Sequence, residues 1–82
     1  MFEAEVRVEL KKGVADPEGK NTKKALDLLG FDEVLEVKTS KFFTIRIDAG
    51  SADEARKMVE EMCVKLLSNP VIHNPEINIK EV

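Results

Sequence analysis

The sequence predicts an α+β sandwich in the order βαββαβ, with a four-stranded antiparallel sheet and two helices on one face. Three observations carry this reading. Residues 2–11 alternate strictly between apolar and polar. Apolar residues return at helical spacing after Asp16 and again, more regularly, after Ser51. Further alternating runs follow each helical stretch. Period two marks a strand with one buried face, and period 3.6 an amphipathic helix.

In the first strand, Phe2, Ala4, Val6, Val8 and Leu10 fall on one side, and Glu3, Glu5, Arg7, Glu9 and Lys11 on the other. Successive side chains of a strand point to opposite faces, so one face is buried and the other polar. Lys12-Gly13-Val14-Ala15 is a crossover loop.

Asp16 suits the cap of the first helix, because its carboxylate accepts hydrogen bonds from the free N–H groups of the first turn. Pro17 suits the first helical position, where no intrahelical N–H is needed. Ala25, Leu26 and Leu29 supply the apolar spacing, and Gly30 suits a left-handed C-terminal cap.

Phe31 to Thr39 reads as a second strand, with Leu35 and Val37 on one face. Phe42 to Ala49 reads as a third, with Phe43, Ile45 and Ile47 inward and Thr44, Arg46 and Asp48 outward. Ser40-Lys41 between them is the expected hairpin turn. It lacks the Asn-Gly or Gly-X pair that two-residue hairpins favour.

Ser51 and Glu54 form a capping-box signature at the start of the second helix. Ala55, Met58, Val59, Met62, Cys63, Leu66 and Leu67 make an unbroken i, i+3, i+4 stripe. Asp53–Lys57 and Glu61–Lys65 have the spacing of favourable pairs on the exposed side. Asn69-Pro70 ends the helix, and Pro75 to Lys80 reads as a short last strand. Right-handed crossovers put both helices on the same sheet face, which is the ferredoxin-like arrangement.

Eighty-two residues make one domain, 1–82. A chain of this size hides only about 60% of its unfolded surface. Apolar residues are 43% and charged residues 35%, the balance of a folded chain. Thirteen basic against sixteen acidic residues give a net charge of −3. Nonspecific nucleic-acid binding needs a positive field, so no nucleic-acid partner is expected. No stretch approaches the ~20 apolar residues of a membrane span. Glu3 and Glu5 follow Met1 too closely for a secretory signal. The single cysteine excludes an intrachain disulfide. No membrane partner and a cytoplasmic location are therefore expected.

Candidate chemistry is sparse. Cys63 lies in the apolar stripe, where a cysteine behaves as a small hydrophobe. A Cys63–His73 nucleophile–base pair would require Cys63 to leave that face. One Cys and one His without short-spaced partners do not make a zinc motif, so no metal site and no catalytic residue are expected. Lys11, Lys12 and the first helix's N–H groups suit an anion, yet no phosphate-loop pattern is present and Glu18 opposes one. A crossover loop leading into a capped helix is the plainer reading.

Apolar residues away from the core stripes are more telling. Phe42 and Val34 point off the helix-covered face, and Val64 and Val82 lie off the main stripes. Several such residues on a small domain predict cover by another chain, and open edge strands offer pairing between subunits. Self-association is the structural expectation.

Three motifs in order then resemble the PurS family: Val8-Glu9-Leu10-Lys11, Asp16-Pro17-Glu18-Gly19 and Ala25-Leu26-x-x-Leu29-Gly30. Val34-x-x-Val37-Lys38 with Lys41, and Cys63-x-Lys65-Leu66-Leu67-x-Asn69-Pro70-Val71-Ile72, continue the likeness over nearly the whole chain. Ser40, Lys38 and His73-Asn74 depart from the residues most often found there.

The resemblance implies the small, non-catalytic subunit of phosphoribosylformylglycinamidine synthase, an ATP- and glutamine-dependent ligase of purine biosynthesis. Such a subunit bridges a glutaminase and a large synthetase subunit and forms dimers or tetramers. It binds no cofactor itself, while the complex uses ATP and Mg. Asp16, Pro17, Gly19, Phe42, Arg46, Asn69 and His73 are the expected partner-interface residues. The alternative is a regulatory module of the ACT type, which has the same element order and binds amino acids where subunits meet.

Overall fold

A computed structural model describes residues 1–82. The elements are β1 (Phe2–Leu10), α1 (Pro17–Leu28), β2 (Ser40–Ile47), α2 (Ala52–Met62) and β3 (His73–Glu81). A π-helical turn, Cys63–Leu67, prolongs α2. The sheet has three strands in the order β2-β1-β3, both pairs antiparallel.

β1 is the middle strand, bonded on both sides, and its alternation sets the core. The register places Ala4 between Ile45 and Ile79, and Val6 between Phe43 and Ile77. Rows of inward apolar side chains thus cross the whole sheet. Ala55, Val59 and Cys63 of the second helix are buried, and Val59 and Cys63 complete the core with Ala4, Val6, Val8 and Ile47. Full burial of a valine such as Val6 or Val59 contributes about 1.5–3 kcal/mol.

The capping box forms in part, with Ser51 Oγ capping the helix and the reciprocal bond of Glu54 shifted to the residue before the cap. Ser51 Oγ accepts from Glu54 N–H at 3.2 Å, while Glu54 Oε2 accepts from Gly50 N–H at 3.3 Å. Gly30 has φ +96°, a left-handed value open to glycine. Gly30 N–H donates to Asp27 O at 3.1 Å and Phe31 N–H to Leu26 O at 3.0 Å. That pair of bonds is a Schellman stop, which satisfies the last carbonyls of α1.

Three expectations are corrected. The four-stranded sheet is absent, because Phe31–Thr39 forms no strand and the sheet has three. Ser40-Lys41 does not turn the chain. Positive φ occurs at Gly13 and Gly30 and at no other residue, whereas the favoured two-residue hairpin turns need it at a central position. The chain instead passes from Thr39 directly into β2 at Ser40, and residues 31–39 do not pair beside it.

Nor do both helices lie on the sheet. Helix α2 packs across β1 and β3, whereas α1 contributes no side chain to the hydrophobic core. Helix α1 and residues 31–39 form an arm. The chain accordingly measures 51 × 27 × 15 Å, with a radius of gyration of 16.3 Å. A compact chain of this length has a radius of about 12 Å.

Candidate protein–protein interfaces

The root of the arm is built around Asp16. Its Oδ1 accepts from Gly19 N–H at 2.9 Å and from the Thr39 hydroxyl at 2.8 Å, while Oδ2 accepts from Thr39 N–H at 2.7 Å. These donors, Gly19 N–H foremost and then Thr39 N–H, hold the carboxyl below the usual carboxylate range. Pro17 occupies the first helical position and is exposed. Gly19 is buried, and a Cβ there would lie 2.3 Å from the Val37 carbonyl oxygen. Asp16, Pro17 and Gly19 thus come together with Val37 and Thr39, joining both ends of the arm.

Beyond this root the arm, charged over much of its length, exposes several large apolar side chains. Leu28 is 82% exposed, Leu29 73% and Leu35 90%. Phe31 is exposed as well.

Phe42 lies on the sheet face turned away from α2, in one row with Arg7 and Glu76. Arg7 pairs with Glu76 and with Glu9, the latter at 2.9 Å; Glu76 above all raises the guanidinium's proton affinity. Glu5 accepts from Asn78 Nδ2 at 3.1 Å and pairs with Lys80 at 3.3 Å. Asn78 first and Lys80 second hold the Glu5 carboxyl low. A depression of about 410 Å³ lies among Glu5, Arg7, Phe42, Glu76, Ile77 and Asn78. Arg46 stands opposite Glu3, one same-face row beyond Thr44 and Glu5 and so two such rows from Phe42. The outer face is therefore a charged lattice with one exposed aromatic edge.

Asn69 and His73 organise the loop before β3. Asn69 N–H donates to His73 Nδ1 at 2.8 Å, and His73 N–H donates to Asn69 O at 2.8 Å. Val71 N–H donates to Asn69 Oδ1 at 3.0 Å. Nδ1 thus serves as an acceptor within the loop, and Nε2 is the ring nitrogen left for other contacts. Ser40 pairs with Glu9 and His73 with Leu10, so this loop and the arm's root share one end of the sheet. Arg46 lies toward the other end.

A further surface departs from the expected stripe. In the π-helical turn, Ser68 N–H reaches Cys63 O at 3.0 Å. The wider turn rotates Leu66 outward, leaving it 83% exposed, while Leu67 packs against the core. Met58, Met62, Leu66 and Leu67 then line an open groove of about 360 Å³, edged by Glu61 and Lys65. Apolar periodicity continues unbroken through the turn, so nothing in the residue spacing signals this groove. Cys63 is buried, and burial, with Glu60 second, pushes its thiol up. A thiol so placed is a poor nucleophile. No three His, Cys, Asp or Glu side chains converge as a metal site would require. No helix is long and apolar enough to cross a membrane.

These features define a class: a small α+β subunit whose distinctive surfaces are an arm, a charged sheet face and an apolar groove. The PurS family model, described as phosphoribosylformylglycinamidine (FGAM) synthase, matches residues 3–81. The chain is 55% identical over 78 residues to the phosphoribosylformylglycinamidine synthase subunit PurS of Archaeoglobus fulgidus, covering 95% of this chain and 98% of that one. It is similar to the crystal structure of Methanocaldococcus jannaschii PurS, with a TM-score of 0.89 and 46% identity over 100% of this chain and 99% of the other. A chain in the structure of PurLQS from Thermotoga maritima, 23% identical and covering 96% of each chain, shares the fold with a TM-score of 0.70.

The chain belongs to the PurS family. It is a subunit of FGAM synthase, a ligase complex of purine biosynthesis.

Proposed function

We propose that this chain is the non-catalytic bridging subunit of the synthase, joining the glutaminase to the large synthetase subunit in the cytoplasm and associating with itself. The observation that carries this reading is the distribution of apolar surface. Leu28, Leu29, Phe31 and Leu35 on the arm, Phe42 on the sheet and Leu66 on the groove are all exposed. A chain with nine buried residues of 82 gains much from covering them.

The chemistry supports the same division of labour. Cys63 is buried with its thiol pushed up, and Nδ1 of His73 is occupied by Asn69. ATP and Mg then belong to the synthetase, and this chain supplies no cofactor site. Ammonia released by the glutaminase is small and readily lost to water. Holding the two enzymes in one assembly raises its effective concentration, and a sealed joint protects the reactive intermediate. Asp16, Pro17, Gly19, Phe42, Arg46, Asn69 and His73 are the proposed contact residues, with Asp16 and Gly19 shaping the root more than touching a partner.

Reconstitution tests this. Synthetase and glutaminase with this chain are expected to make product from glutamine. Without it, glutamine-dependent turnover is expected to fall at least tenfold, while turnover with added ammonium salt persists. Equal glutamine-dependent turnover in its absence would overturn the bridging role.

A further inference from the structure

We infer that the free edge of β3 is closed against strand pairing, and that Arg56 is the residue that closes it, so that assemblies of this subunit stay finite in size.

The ladder fixes which backbone groups face that edge. Lys11 N–H donates to Ile72 O at 2.8 Å, and Val82 N–H donates to Met1 O at 3.0 Å. Hydrogen-bonded and non-bonded pairs alternate along an antiparallel ladder. Through the register from Leu10↔His73 to Phe2↔Glu81, the even-numbered residues of β3 therefore bond to β1. His73, Pro75, Ile77, Ile79 and Glu81 turn their backbone groups outward.

Three successive outward positions are blocked, each in a different way. His73 N–H donates to Asn69 O at 2.8 Å. Pro75 has no N–H to offer. Ile77 O accepts from Arg56 Nη2 at 3.1 Å. The last contact crosses 21 positions and comes from α2, the helix packed over β1 and β3. Arg56 is exposed, and its guanidinium stands where the N–H of an incoming strand would have to be. Such a strand would meet a fixed charge at Ile77 and no free donor at His73 or Pro75. Proline, charge and covered backbone groups are the means by which natural edge strands escape pairing.

The closure matters because the sheet has two edges. The β2 edge, by contrast, contains no proline. With both edges open, β2 of one copy could pair with β3 of the next. That contact is head-to-tail, repeats without closing and builds fibres. With β3 closed, no such series begins.

Opening the edge tests this. Arg56→Ala removes the guanidinium from an exposed helical position and leaves the core untouched. Pro75→Val restores an N–H in a residue type that suits strands. In sedimentation velocity the double variant is expected to form species about tenfold or more heavier than those of the unaltered chain at equal concentration, as open-ended growth requires. Arg56→Lys keeps a donor and a charge over the edge and is expected to match the unaltered chain. Hydrogen exchange locates the contact. The outward amides of Ile77 and Ile79 are expected to slow about tenfold or more in the assembled double variant, while that of Asn78, already bonded to β1, stays as it was. Arg56→Ala alone is expected to grow in the same way at higher concentration, and its readings decide the matter where the double variant does not fold. Variants that keep the size of the unaltered chain at every concentration would overturn the inference. So would assemblies whose Ile77 and Ile79 amides exchange freely, since growth would then run through another surface.

Discussion

The Asp16 carboxylate holds Thr39, 23 positions away, by its N–H at 2.7 Å and its hydroxyl at 2.8 Å. One side chain thereby caps α1 and ties the start of the arm to its end. Leu29 and Phe31 flank Gly30 at the Schellman stop that ends α1. The arm's direction is thus set at a single carboxylate, which also accepts from Gly19 N–H.

Replacing that carboxylate separates its two tasks. Asp16→Asn retains a capping side chain but loses the charge that strengthens all three bonds. Asp16→Ala removes cap and tie together, so its melting temperature at pH 7 is expected to fall further than that of Asp16→Asn. The pH dependence has a definite sign. A carboxyl held low in the folded state stabilises it above the unfolded pKa of about 3.9. That contribution is lost as pH falls through the depressed folded value. Thermal melts of the Asp16→Asn variant should therefore differ from the unaltered chain at pH 7 and converge in strong acid.

Gly19→Ala sets helix propensity against packing. Alanine within a helix gains about 1 kcal/mol over glycine. Its Cβ, however, would stand 2.3 Å from a backbone oxygen, that of Val37, and backbone cannot swing aside as a long side chain can. Overpacking of this kind costs about 1–3 kcal/mol. Net destabilisation is expected in urea unfolding, together with faster amide exchange near Val37. An Ala variant more stable than the parent would show that the arm's root yields freely.

The sequence disclosed elements whose physics is local. β1 was legible because its polar and apolar residues alternate without a break from Phe2 to Lys11. Gly30 and the Ser51–Glu54 box were legible because each satisfies backbone groups a few residues away. Residues 31–39 read as a strand for a sound reason, since Leu35 and Val37 alternate with charged neighbours. Whether such a run pairs depends on its meeting a sheet edge, and here residues 31–39 meet none within the chain. The missing turn chemistry at Ser40-Lys41 was the signal that mattered more than the alternation. For the interfaces, Phe42 was found because its parity opposes Phe43 on an alternating strand. Leu66 was missed because a π-helical turn, bonded from Ser68 to Cys63, changes the helical frame without any change in apolar spacing.

Val59 and Leu66 share that apparent stripe yet should respond oppositely to truncation. Val59 is fully buried and Leu66 is 83% exposed. Val59→Ala removes two buried carbon atoms from a packed site and leaves a cavity, so it is expected to cost about 2 kcal/mol. Leu66→Ala should stay within about 0.5 kcal/mol in the isolated chain. If the groove is a partner surface, the same Leu66→Ala change lowers affinity for the synthetase or glutaminase at unchanged stability. Urea unfolding and a binding titration on the same two variants read both quantities.

Cys63 offers a direct measure of how tightly α2 is held. Its thiol sits in the core beside Val59, and burial raises its pKa, so the reactive thiolate is scarce at neutral pH. Alkylation of the native chain at pH 7.5 is expected to run about a hundredfold or more slower than that of a free thiol, since it must await local opening. In urea the difference should vanish. The groove residues Met58, Met62 and Leu66 line the outer side of the same helix. A synthase partner bound there would slow alkylation further by suppressing the opening. Rapid alkylation of the folded chain alone would mean that α2 and its π-helical turn part readily from the sheet, leaving Cys63 available for chemistry that its buried position otherwise denies.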